Sequence, residues 1–191
     1  MKKFELALAL TMALAASGVA LAHGGATGIV KERMDGMSAM GKAVKTLSMM
    51  MRGEVEYDPE QVKREAAVIE THAGETLTSL FPTGSGGAPS EAKPTVWSDW
   101  AEFEEISNQL QLYAKALEQA APNGLMMQQP STVDMMGTTS SGMMGNNSAM
   151  MMGSAPNMDL DALADMPADG VFNMLAQTCA SCHAKFRIEK K

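Results

Sequence analysis

The sequence predicts an all-α protein, an antiparallel up-down-up-down four-helix bundle. Three observations carry that expectation. Four segments repeat apolar residues at three- and four-residue steps, the period of an amphipathic helix. Helix start and stop residues bracket them, with proline in the first turn and glycine or proline past the last. No stretch shows the strict apolar–polar alternation of a half-buried strand.

The first segment runs from about Thr27 to Met51, with Ile29/Val30, Arg33/Met34, Met37, Met40/Gly41, Val44, Leu47 and Met51 recurring on one side. The second opens on Asp58 as N-cap and Pro59 at the first helical position. Val62, Ala66, Ile69, Ala73, Leu77 and Leu80 form its stripe, and Pro82 with the glycines at 84, 86 and 87 stops it. The third begins after Pro94, carries Trp97, Trp100, Phe103, Leu110, Tyr113 and Leu117, and ends at Pro122-Asn123-Gly124. The fourth runs from about Pro167 to Ile188, with Val171, Leu175, Cys179, Cys182 and Phe186 inward. Four such helices packed pairwise leave room for a cofactor between them.

The fourth segment also carries the chemistry. Cys179-Ala180-Ser181-Cys182-His183 has the Cys-x-x-Cys-His spacing of a c-type haem attachment site. On a helix, positions i and i+3 share a face, so both thiols reach the two vinyl groups of one porphyrin. His183, at i+4, lies on the same face and presents an imidazole to the iron. A zinc half-site would need a second ligand pair, yet the chain has two cysteines, and His23 and His72 stand alone. A thioredoxin-like redox pair would need a βαβ context, and none is visible. These two readings stay open as the weaker alternatives.

The N-terminus reads as an export signal. Lys2 and Lys3 precede an apolar run from Leu6 to Leu21, and Ala20-Leu21-Ala22 is an A-x-A cleavage site. Residues 1–22 are expected to be removed, leaving residues 23–191 as a single domain in the periplasm; an uncleaved anchor is the alternative. Lys2, Lys3 and Glu5 together carry one positive charge, so the formal net charge of −7 becomes −8 on cleavage. An acidic surface disfavours nucleic acid and anionic membrane. It suits weak docking to a basic patch on a redox partner, or it serves solubility alone.

Several local patterns resemble one family. Lys93-Pro94-Thr95-Val96-Trp97-Ser98-Asp99, Leu80-Phe81-Pro82 and Cys182-His183-Ala184-Lys185-Phe186-Arg187 are similar to motifs of the class II c-type cytochromes, the cytochrome c-prime family. The likeness covers about residues 27–120 and 165–189. It implies one covalent haem on Cys179 and Cys182 with His183 as the proximal iron ligand. The family divides on the sixth position, which is either left open beside an apolar residue or filled by a methionine four residues after an arginine. Arg33-Met34-Asp35-Gly36-Met37 places Met37 there, resembling the low-spin Met/His branch, with Met34 and Met40 one turn either way. A thioether ligand stabilises ferrous iron and raises the potential. The resemblance also implies that Arg33 and Arg187 lie near the haem propionates, where a guanidinium fork suits a carboxylate. His72 reads as an ordinary boundary histidine.

One stretch departs from the family. From Pro122 to Met158 the chain holds ten methionines among Gly, Ser, Thr, Asn, Gln and Pro, with Met-Met-Gly repeated three times. Such a composition cannot pack a core, so a disordered insert is expected at about 122–158. Its clustered thioethers would select Cu(I) or Ag(I) by softness, and His23 at a cleaved N-terminus would add an amine and an imidazole. An inert or oxidation-absorbing linker is the alternative. The functional expectation is a single-electron carrier with a His/Met-ligated iron. A five-coordinate binder of NO or CO, or a copper- or silver-handling protein, are the other readings. No acid/base pair in a substrate pocket is recognisable, so no enzymatic activity is expected. The redox partner stays unnamed, and a homodimer stays open.

Overall fold

The computed structural model describes residues 25–126 and 159–189. The expected signal peptide, His23 and residues 127–158 of the Met-rich tract lie outside the described residues.

Helix α1 spans Gly28–Met51 and α2 spans Pro59–His72. Asp58 caps α2 as the sequence predicts, its carboxylate accepting from the Glu60 and Gln61 amides, with Pro59 at the first position. The short α3, Glu75–Thr78, follows it after a break at Ala73-Gly74. Helix α4 is Thr95–Ser98, α5 is Trp100–Ala120 and α7 is Ala168–Phe186. Between α5 and α7 lie a 3-10 turn, Ala121–Asn123, and a short α6, Leu160–Ala164. Among the described residues there is no strand, only one antiparallel bridge between Ala92 and Arg187.

The four long helices form the antiparallel bundle. Gly36 at the start of α1 lies against His72 at the end of α2. Tyr57, just ahead of α2, donates its hydroxyl proton to the Ala121 carbonyl at 2.7 Å, beyond the end of α5. Lys185 at the end of α7 pairs with Asp99 and Glu102 at the start of α5. One pole therefore gathers the start of α1, the end of α2, the start of α5 and the end of α7. The main core between the poles includes Leu47, Val62, Ile69, Leu117, Val171 and Leu175, all fully buried. Each such side chain contributes about 1.5–3 kcal/mol by leaving water. A second, aromatic cluster of Phe81, Phe103 and Phe186 with Leu77 and Val96 sits at the first pole.

Three differences from the sequence expectation have local causes. The second helix does not run unbroken to Leu80. Ala73 is extended and Gly74 adopts φ +61, where the Gly74 amide donates to the Ser107 carbonyl at 3.1 Å and the Ser107 hydroxyl to the Gly74 carbonyl at 3.0 Å. An amide bonded sideways to α5 cannot also donate to the preceding turn of α2. On α1 the most deeply buried positions include Gly36, Ala43 and Met50, while their neighbours Met37, Val44 and Met51 are partly buried. Finally, Pro122–Met126 belongs to the bundle rather than to the insert. The Asn123 side-chain amide donates to the carbonyls of Ala164 and Met166 at 2.7 and 2.8 Å, and the Ala168 amide donates to the Gly124 carbonyl at 2.9 Å. Leu125 is buried behind them.

Candidate haem site

A cavity of about 460 Å³ opens at the first pole, within the range of cofactor sites. Helix α1 contributes Val30, Arg33, Met34 and Met37 to its lining, the aromatic cluster contributes Phe81, Phe103 and Phe186, and α7 contributes Cys182 and His183. Arg187, Glu91 and Ala92 lie on its edge through the bridge that ties the chain's end to the α3–α4 connection. Five of the site residues singled out in the sequence, Arg33, Met37, Cys182, His183 and Arg187, therefore share one space. Cys179 is not in the lining; it is half-buried against the main core one turn earlier on α7.

The electrostatics fit a haem better than the alternatives. Burial pushes the Cys179 thiol up, and burial with Cys179 nearby pushes Cys182 up to about 11. Neither is a ready thiolate at neutral pH. Among the described residues no three His, Cys, Asp or Glu side chains converge as a metal cage, so a zinc reading lacks its further ligands. Burial, and then the Arg187 guanidinium, lower the pKa of His183. Its imidazole is therefore neutral at pH 7, with a lone pair free for a metal.

Arg33 tests the fit most sharply. It is 4% exposed. Its Nη2 donates to the Ser85 carbonyl at 2.6 Å, and its guanidinium lies 4.4 Å from the centre of the Phe81 ring. Its Nε and Nη1 have no protein partner, and burial works against its charge. Unfilled N–H groups on two nitrogens of a buried cation are costly unless an anion meets them. A haem carboxylate would supply that anion. Arg187 differs: it is exposed, and its Nε is engaged by the Glu91 carboxylate at 2.9 Å.

The sequence did not single out the connection that closes this space. Gly86 lies so close to Trp97 that a Cβ there would come within 2.9 Å of the indole, and the Trp97 indole N–H donates to the Phe81 carbonyl at 3.0 Å. The glycines at 84, 86 and 87 were legible only as a stop signal. Their packing role needed the position of Trp97.

A family model described as Cytochrome C' matches residues 28–139. The chain belongs to the cytochrome c′ family. The matched stretch ends ahead of the Cys179–His183 motif. Among curated members of this family, the cytochrome c′ of Pararhodospirillum photometricum is 33% identical over 111 residues, covering 58% of this chain and 87% of that protein. The solved cytochrome c′ of Rhodopseudomonas palustris superposes with a TM-score of 0.58 at 22% identity, covering 87% of this chain and all of that one. A nitric oxide complex of an Alcaligenes xylosoxidans cytochrome c prime variant gives 0.55 at 22% identity, over 84% of this chain and 94% of that one. At such identities the structures speak for the fold, a four-helix bundle of the cytochrome c′ kind. No described helix is long and apolar enough to cross a membrane.

Proposed function

We propose that the protein is a periplasmic monohaem c-type cytochrome that binds a small neutral gas, NO or CO, at an iron held by His183. The observation that carries this reading is the composition of the cavity shared by His183 and Cys182. Its walls are mostly apolar, with Val30, Met34, Met37, Phe81 and Phe103, and the one buried cation, Arg33, is stacked on Phe81. Such walls solvate water and anions poorly and admit uncharged diatomics. The nitric oxide complex of the Alcaligenes xylosoxidans relative supports it.

Each residue has a defined part. Cys179 and Cys182 hold the haem through thioether bonds. His183 offers a neutral imidazole, and Arg33 anchors a propionate through its unpartnered N–H groups. When bound, the haem supplies an iron that ligates a gas molecule or changes valence by one electron. Export follows from the signal at residues 1–22, since haem is attached to such proteins outside the cytoplasm.

Met37 favours a second reading. It is half-buried, follows Arg33 by one helical turn and lines the same cavity as His183. A thioether ligand from there would make the iron low-spin and the protein an electron carrier. Optical spectra separate the two. The gas-binding reading expects a high-spin ferric spectrum, no thioether-to-iron charge-transfer band in the near infrared, and ready CO binding by the ferrous protein. A low-spin wild type whose near-infrared band is lost in Met37→Ala would replace gas binding with electron transfer. Capture of Cu(I) or Ag(I) by the Met-rich tract is a separate proposal that rests on composition alone.

A further inference from the structure

The last four carbonyls of a helix have no N–H partner from within it. In α7 these are the carbonyls of His183, Ala184, Lys185 and Phe186, the turn that carries the candidate iron ligand. All four are satisfied, three of them from the other side of the bundle pole. The Arg187 amide donates to the His183 carbonyl at 3.1 Å. Lys93 Nζ donates to the Ala184 carbonyl at 2.8 Å, and Thr95 Oγ1 donates to the Lys185 carbonyl at 3.1 Å. The Lys93 amide donates to the Phe186 carbonyl at 2.8 Å. Two residues further on, the Ile188 amide donates to the Glu91 carbonyl at 2.7 Å.

Residues 91–95 thus form a strap across the end of α7. Pro94, which has no N–H to satisfy, sits between the two residues that donate. The Lys93 ammonium also meets the negative end of the α7 dipole. The Lys185 side chain is drawn aside to Asp99 and Glu102. A helix end without partners frays; here the turn that would fray holds His183.

We propose that Lys93 and Thr95 are positioning residues for the proximal ligand: they fix the last turn of α7 so that His183 meets the iron in one orientation. Neither lines the cavity, so they act only through the backbone of α7. The proposal rests on His183 being the ligand of a covalent haem.

The test uses the ferrous holoprotein carrying Met37→Ala, which leaves the sixth position open under either ligation reading. Resonance Raman spectroscopy reports the iron–histidine stretching band, and hydrogen exchange reports the Arg187 amide. In Lys93→Met and Thr95→Val, singly and together, the band should broaden and move to lower frequency. Exchange of the Arg187 amide should rise about tenfold, the scale of one lost hydrogen bond. Lys93→Arg, which keeps a cationic donor, should restore both. An unmoved band in the double variant, with haem still covalently attached, overturns the proposal. So does faster exchange with an unmoved band, because the strap then stabilises the helix without orienting the ligand. A wild-type chain that carries no covalent haem fails the haem reading itself, and the proposal falls with it.

Discussion

Arg33 is a cation almost wholly out of water, with one N–H on the Ser85 carbonyl and two nitrogens unmatched. Its helical spacing to Met37 was legible in the sequence, but its burial was not. Burial follows from Phe81 and the 82–92 connection closing over α1, and no local pattern encodes that. The spacing of Cys179, Cys182 and His183 on α7 was legible, because i, i+3 and i+4 lie along one side of a helix whatever surrounds them; that Cys179 packs against the main core rather than in the cavity was not. Cys179→Ala with Cys182→Ala should abolish the haem-staining band on a denaturing gel; a band that persists would show that the haem is not held by these thiols. Tyr57 gives a residue-scale prediction about pH. Burial first, and then Asp169, push its hydroxyl up to about 12 from an ordinary value near 10. The folded state thus holds this proton more tightly than the unfolded chain. Its contribution is complete below pH 10 and is lost as the pH rises towards 12. Tyr57→Phe should cost about 1 kcal/mol at neutral pH through the lost bond to the Ala121 carbonyl, and should flatten the alkaline limb of a stability–pH curve. An alkaline limb as steep as that of the wild type would assign the loss to another group.

At the scale of elements, the break between α2 and α3 is the clearest case of packing overriding periodicity. Ala73, Leu77 and Leu80 continue the apolar stripe of the second segment, which predicted one helix. Gly74 instead takes a left-handed conformation and trades hydrogen bonds with Ser107. A Cβ at that position would overlap the Gln111 carboxamide. Gly74→Ala should therefore destabilise the protein on the order of 1–3 kcal/mol in denaturant titrations, chiefly from backbone strain, since the Gln111 carboxamide is the far end of a flexible side chain. Adding Gln111→Ala should recover the overlap part but not the strain. A neutral Gly74→Ala would mean that α2 and α3 can merge into one helix without harm. The first helix shows a milder version of the same effect. Its Met-rich stripe was legible, but Gly36 is buried where Met37 is only partly so, with His72 close against Gly36. Met37 lines the cavity.

At the scale of the whole molecule, the two ends of the Met-rich tract are pinned far from the haem pole. Gly124 bonds to Ala168 at the start of α7, while His183 lies near its end. A 19-residue helix is ~28 Å long. The tract is thus inserted at the opposite pole from the cavity. Replacing residues 128–157 with a short Gly-Ser linker should leave the haem spectrum and thermal midpoint nearly unchanged. Extending the deletion through Leu125 should lower the midpoint, because that side chain is buried and the adjoining residues tie α5 to α6 and α7. Any metal uptake lost with the tract should be Cu(I) or Ag(I), not Zn(II). Loss of haem incorporation on the shorter deletion would show that the tract supports the bundle.

The sequence by itself determined the bundle, its helix order and the attachment motif. Each of these is written in short-range periodicity, capping residues and the spacing of three side chains on one helix face. Only the tertiary structure decided which residues close the cavity, where the second helix breaks, that Pro122–Met126 is tied to the bundle with Leu125 buried, and that Lys93 and Thr95 cap the turn bearing His183. Those facts depend on contacts between residues tens of positions apart, such as Lys93 with Ala184 and Gly74 with Ser107. They are set by which backbone groups remain unsatisfied once the helices have packed, a question that the local pattern of any one segment does not contain.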